Sequence, residues 1–84
     1  MNITTILPPS TFSAIVVRAD VLAFLRRHAE TPLSVERVSD RLGMQHALVR
    51  QAFRELNGPV HDDDGNPGAY VHFATCSNQA VFIP

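Results

Sequence analysis

Apolar and small residues between positions 34 and 57 repeat with the spacing of two short amphipathic helices. The first set falls at i, i+3, i+4 and i+7, which is one face of a helix, and comprises Val35, Val38, Ser39 and Leu42. The same spacing returns in Val49, Ala52, Phe53 and Leu56. Gly43 lies between the two sets, and glycine enters the left-handed conformation at a helix end at little cost. The pattern predicts helices over 34–42 and 45–57 joined by a turn, which is a helix-turn-helix.

Residues beside the turn fit a close crossing of two helices. Ser39, four residues before Gly43, is small enough to let the helices approach, and Met44 can fill the space beneath the turn. The second helix ends in Arg54-Glu55-Leu56. This order of small residue, glycine, hydrophobic residue and Arg-Glu-Leu resembles the winged helix-turn-helix DNA-binding domain of small bacterial or phage transcriptional regulators, over residues 34–74. The resemblance implies an α+β fold in which a three-helix core carries a β-hairpin wing.

The residues just before this motif predict a first helix and a short strand. The first helix is expected over 19–30, where one apolar stripe contains Val21, Leu22, Leu25 and Ala29. Pro32 ends that helix, because proline holds the residue before it in extended geometry. In the winged-helix arrangement the segment 31–33 is a short strand that pairs with the wing hairpin. Ser34 is then expected to cap the next helix.

The first 18 residues are open to more than one interpretation. Ile3–Leu7 is β-prone and predicts a short strand or a disordered arm. Ser10 or Thr11 can cap a helix that begins near Phe12, whereas the β-branched run 14–17 also suits a strand. This N-terminal extension is expected to serve as a dimer contact or to cover the core.

A β-hairpin signal follows the motif directly. Two short alternating runs, 60–62 and 69–74, flank a turn rich in Asp, Gly, Asn and Pro, which predicts a wing over 59–74. The apolar run 80–83 is expected to add a strand or to pack across the helices. The segments together predict a single domain over 1–84, made of the extension (1–18), the winged helix-turn-helix core (19–74) and a C-terminal strand or tail (75–84).

Composition bears on where the protein works and on how it is held together. No apolar run approaches the ~20 residues that cross a bilayer, and the N-terminus lacks the basic and apolar regions of a signal peptide. Cys76 is the single cysteine and has no internal partner for a disulfide, so a cytoplasmic location is expected. Its side chain is expected to be a half-buried small hydrophobe.

Charge is distributed unevenly along a chain whose net charge is −1. All seven basic residues are arginines between Arg18 and Arg54, and residues 1–57 carry a net +2. Residues 58–84 carry −3, from Asp62, Asp63 and Asp64 in the predicted hairpin turn. Such a charge gives little non-specific attraction to phosphates, and an acidic wing repels a duplex. A DNA-binding form is therefore expected to act as a homodimer or with a partner protein.

The second helix of the motif offers side chains that suit double-stranded DNA. Arginine can contact both major-groove acceptors of guanine, and glutamine can do the same for adenine. Residues near the start of a recognition helix lie deepest in the groove, and the base-reading candidates are Gln45, His46, Ala47, Arg50 and Gln51. Arg41 and Arg54 are predicted phosphate contacts. Leu48 occupies a position on the exposed side of a recognition helix where a polar residue is common, or it lies at the edge of the core. The hypothesis is that the protein is a transcriptional regulator that reads the major groove with helix 45–57. The alternative is that the polar face of this helix only contacts solvent.

Two other classes of function are considered. A winged-helix domain can be a protein-binding module, in which the acidic hairpin with exposed Tyr70 and Phe73 engages a basic partner as an accessory or inhibitor protein. A metal site would use His61 and His72 across the hairpin, near Asp62. That spacing matches no firm ligand motif, so neither a metal nor another cofactor is expected. The sequence contains no phosphate loop, nucleophile motif or Cys/His pair, so no catalytic residue is predicted and the protein is not expected to be an enzyme.

Overall fold

The computed structural model describes residues 9–61, 64–65 and 67–84, the first five of them by their backbone alone. In these ranges the chain forms three helices and four strands, in the order α1 (Pro9–Arg27), β1 (Leu33–Ser34), α2 (Val35–Leu42), α3 (His46–Leu56), β2 (Gly58–His61), β3 (Pro67–Ala74) and β4 (Gln79–Ile83). The described strands form one antiparallel sheet in the order β1-β4-β3-β2. The predicted α+β class is confirmed. None of the described helices combines the length and the apolar character that a membrane span requires.

The two helices of the motif begin and end where the sequence predicts. Ser34 caps α2, because its Oγ accepts a hydrogen bond of 3.0 Å from the Arg37 backbone N–H. Gly43 ends α2 in the left-handed conformation, with φ +67° and ψ +37°, and its N–H donates to the Ser39 carbonyl. The Met44 N–H donates to the same carbonyl at 3.0 Å. The glycine turn therefore closes the exposed end of α2 with two backbone hydrogen bonds before α3 begins.

The core joins one face of each helix to the inner face of the sheet. The most fully buried large side chains are Phe53, Leu25, Val21, Val35, Val38, Val49 and Val71. Phe53 meets Phe73 edge to face, with ring centroids 5.4 Å apart and an interplanar angle of 66°, an arrangement that adds about 0.5–1.5 kcal/mol to the burial of the two rings. Met44 is half-buried against this core, as predicted for the space beneath the turn.

Helix α1 is longer at its start, and shorter at its end, than the sequence predicts. It begins by Pro9 rather than at 19, so Ser10 and Thr11 lie inside it, and the strand alternative for 14–17 is wrong. Val17 is buried four residues before Val21, so it continues the apolar stripe of the helix into the core. That burial outweighs the β preference of the local sequence. The helix ends at Arg27 rather than at 30, and the segment 1–8 lies outside the described residues.

The sheet contains the predicted hairpin and one unexpected neighbour. Strands β2 and β3 pair in antiparallel fashion, with Val60 opposite Ala69, which confirms a hairpin directly after α3. The run 80–83 forms β4 and pairs with β3, as one of its two predicted alternatives. The segment 31–33 was expected to pair with the wing hairpin, and this is wrong. Strand β1 pairs with β4, with Leu33 opposite Ala80, because β4 folds back between β1 and the hairpin.

Two side chains, Phe73 and Cys76, differ in exposure from the sequence-based expectation. Phe73 is buried, not exposed, because it follows the inward side of β3 two residues after Val71. Tyr70 is exposed as predicted, and residues three apart in a strand face opposite sides of the sheet. Cys76 is exposed rather than half-buried, because it lies in the turn between β3 and β4. Leu48 is 40% exposed.

Candidate nucleic-acid interface

Helix α3 presents an exposed stripe on the side opposite its buried residues. Ala47, Gln51 and Arg54 are spaced at i, i+4 and i+7, so they share one line along the helix, and all three are exposed. The buried stripe of Val49, Ala52 and Phe53 holds the other side against the core. The structure therefore turns this predicted face of α3 outward.

The first turn of α3 is open to solvent. Gln45 is the N-cap, but its side chain makes no capping hydrogen bond, and the Gln45 carbonyl accepts from the N–H groups of Leu48 and Val49. His46 is exposed, and Arg50 is half-buried four residues later on the same side of the helix. An uncapped helix start directs backbone N–H groups and a partial positive charge toward any anion placed there.

The second half of α3 is tied to α1 by a chain of polar contacts. Arg54 Nη1 donates to Gln51 Oε1 at 3.3 Å, and Gln51 Nε2 donates to Glu55 Oε2 at 2.8 Å. Arg18 of α1 completes the chain with an ion pair of 2.7 Å between its Nη1 and Glu55 Oε1. The hydrogen bond from Gln51, together with Arg18, lowers the pKa of the Glu55 carboxyl below its usual range. Both ends of the Gln51 amide are thus engaged, which leaves Arg50 and the first turn as the less constrained part of the helix.

A side-chain contact links the end of α3 to the sheet. Asn57 follows α3, and its N–H donates to the Phe53 carbonyl at 3.1 Å. The Asn57 Oδ1 accepts a hydrogen bond of 3.0 Å from the Phe73 N–H in β3. Because this second contact is part-buried and joins residues far apart in sequence, it fixes how the hairpin leaves the helix.

Arg41 lies on α2, apart from the other predicted DNA contacts, and it is close to residues that the sequence did not indicate as part of a site. It lines a surface pocket with Arg37 of the same helix and His28 from the end of α1. The other six predicted DNA contacts all belong to α3 or to its N-cap. The signal that was available in the sequence is the four-residue spacing of Arg37 and Arg41, which places two arginines on one edge of α2.

The hairpin does not pair the two histidines that were considered for a metal site. His61 lies opposite Pro67, and Pro67 precedes His72 by five residues in β3, so His61 and His72 are not cross-strand partners. Among the residues that the structure describes, no group of three or more His, Cys, Asp or Glu side chains is placed to hold a metal ion. Asp64 is exposed in the turn, whereas Asp62 and Asp63 lie outside the described residues.

Comparison with known proteins gives this chain no relative. No model of a protein family, no curated protein and no solved structure matches it. The geometry of α2, α3 and the sheet is therefore the basis for assigning a function.

Proposed function

We propose that this protein is a small DNA-binding transcriptional regulator that places the first half of α3 in the major groove of double-stranded DNA. The observation that carries the proposal is the open first turn of α3, with Gln45 and His46 at its start and Arg50 one turn further on. A helix start of this kind offers backbone N–H groups to a phosphate and side chains to the base edges.

The contacts within α3 divide the predicted DNA-binding residues by role. Arg50 is the principal base-reading residue, because a guanidinium can donate two hydrogen bonds to guanine. Gln51 has a smaller role, since it would have to exchange its hydrogen bonds with Glu55 and Arg54 for bonds to a base. Arg54 is exposed at the far end of the stripe and suits a phosphate.

The charge of the chain favours binding by two copies. A net charge of −1 provides little long-range attraction, so one copy with a few arginine contacts is expected to bind weakly. A homodimer would double those contacts and would present two α3 helices to successive turns of the groove. Exposed Ile15 and Val16 on α1 are the apolar residues that this dimer would cover.

A series of variants tests the proposed roles on a duplex obtained by selection from random sequences. Arg50→Ala is expected to weaken binding to the selected duplex by about 1–3 kcal/mol, while it changes binding to unrelated duplexes much less. Arg54→Ala is expected to weaken binding to all duplexes alike and to flatten the salt dependence.

Arg27→Ala is the matched control for these variants, since it removes the same charge from an exposed position on α1. A loss for Arg27→Ala as large as the loss for Arg50→Ala would mean that total charge, and not the α3 surface, governs binding. Unchanged affinity for Arg50→Ala would contradict the assignment of the base-reading face.

A protein-binding module is the second candidate, favoured by the outer face of the sheet. Tyr70 is 42% exposed and lies opposite Ile83, which is 45% exposed. This apolar pair lies on the sheet that carries the acidic hairpin. Replacing Asp62, Asp63 and Asp64 by asparagine separates the two candidates. The DNA-binding proposal expects stronger DNA binding, whereas a module for basic partners would lose affinity for them without binding DNA.

A further inference from the structure

A surface pocket of about 320 Å³ lies where the end of α1, the loop after it and one edge of α2 meet. Its volume is at the lower end of the range found for small-molecule sites, about 300–1,000 Å³. The pocket is independent of the exposed stripe on α3, since none of its lining residues belongs to that helix. Arg41 is the one predicted DNA contact among them, so the pocket is otherwise separate from the proposed DNA-binding surface.

Three basic side chains and no acidic one line this pocket. Arg37 and Arg41 come from α2, and His28 comes from the turn that ends α1. Among the described residues, no carboxylate lies within 4 Å of either guanidinium. The nearest acids along α2, Glu36 and Asp40, also lie four residues apart and border the two arginines on the outer surface of the helix.

Two arginines four residues apart on one helix edge repel each other. Like charges at this spacing destabilise a helix. Arg37 and Arg41 have this spacing, and His28 lies beside the same pocket. A bound anion would convert the repulsion into attraction, because each guanidinium can donate two parallel hydrogen bonds to a carboxylate or phosphate.

The inner wall of the pocket is apolar. Phe24 and Leu33 line it, and both side chains belong to the buried core. The Phe24 ring lies 4.7 Å from the His28 ring, with an interplanar angle of 51°. An aromatic or alkyl group could pack on this wall while its charged end faces the arginines. The volume has room for about ten water molecules, which is the size of a single ring with one charged group.

We propose that this pocket binds a small organic anion, in which a carboxylate or phosphate contacts Arg37 and Arg41 and an apolar body packs against Phe24. The observation that carries the proposal is that two guanidiniums from α2, with no carboxylate within 4 Å in the described part of the chain, converge on a pocket with an apolar wall. Since the pocket joins α1 to α2, the bound anion would also stabilise the packing of these two helices.

Titration of the protein with benzoate and with phenyl phosphate, followed by ¹⁵N and imidazole NMR signals, tests the proposal. At least one of the two anions is expected to bind with a Kd of about 1 mM or tighter and to shift signals of His28, Arg37 and Arg41. The two compounds distinguish a carboxylate ligand from a phosphate ligand. Benzamide, which has the shape of benzoate without its charge, is expected to bind at least about tenfold more weakly.

Matched arginine variants locate the binding site. Arg37→Gln and Arg41→Gln are each expected to raise the Kd about tenfold, because each removes a charged hydrogen-bond donor from an exposed position. Arg27→Gln makes the same change of charge outside the pocket and is expected to leave the Kd unchanged. The proposal would be overturned by the absence of saturable binding of either anion, by equal binding of benzamide, or by an equal loss in the Arg27→Gln variant.

Discussion

Replacing Gly43 by alanine is expected to lower the free energy of unfolding by about 1 kcal/mol, because the turn between α2 and α3 requires a left-handed residue. Gly43 has φ +67° and ψ +37°, and this conformation costs an L-residue about 1–2 kcal/mol. A Cβ at this position would meet no heavy atom within 4 Å, so steric contact adds nothing to the cost. Alanine also restricts the unfolded chain, which offsets about 0.4–1 kcal/mol.

Thermal and urea unfolding, followed by far-UV circular dichroism, measure this change. For a domain of this size, 1 kcal/mol corresponds to a decrease in Tm of about 4–8 °C. Gly43→Asn is the matched variant, because asparagine tolerates the left-handed region better than alanine does, and it is expected to lose about half as much. If Gly43→Ala were as stable as the wild type, and asparagine had no advantage over alanine, the proposed dependence on a left-handed turn would be refuted.

Three further changes test the core and the polar chain at α3. Ser39→Ala is expected to raise the free energy of unfolding by about 1 kcal/mol in urea titrations, because the buried Ser39 Oγ has no hydrogen-bond partner among the described residues and alanine favours a helix. Phe53→Ala is expected to lower it by about 3–5 kcal/mol, which approaches the whole stability of a small domain; a loss below about 1 kcal/mol would contradict the described core. The hydrogen bond from Gln51 and the ion pair with Arg18 lower the pKa of Glu55 in the folded state. Their contribution to the free energy of unfolding is therefore complete above the ordinary glutamate pKa of 4.5, and it is lost as the pH falls through the lowered pKa of the folded protein. Glu55→Gln is therefore expected to lose less stability than the wild type between about pH 6 and about pH 3, and parallel curves would contradict this assignment.

The sequence predicts the helix-turn-helix segment well because local chemistry determines it. Ser34 can cap α2 through its own hydroxyl, and Gly43 can end the helix through its own backbone freedom. The apolar spacing then fixes which sides of α2 and α3 face the core. The exposed stripe on α3 follows from the same spacing, since residues opposite a buried stripe are exposed.

The parts that the sequence left open, predicted wrongly or missed depend on contacts between distant residues. The 14–17 run, open between helix and strand, is helical because Val17 joins the core beside residues of other elements. Strand β1 pairs with β4 rather than with the β2–β3 hairpin because the C-terminal run folds back to Leu33. The pocket lined by His28, Arg37 and Arg41 was missed, because the spacing of the two arginines does not show that the end of α1 packs beside them.

The central claim, that the α3 surface binds DNA, is tested most directly by fluorescence anisotropy with pooled random duplexes at two salt concentrations, about 50 and about 200 mM. Binding is expected at the lower salt and weakens at the higher one, with a slope of log K against log salt of about −2 per bound copy if Arg41 and Arg54 contact phosphates. The Arg50→Ala/Arg54→Ala double variant should lose most of that binding, while Arg27→Ala should retain it. Absence of binding at the lower salt, or equal binding by the double variant, would contradict the claim.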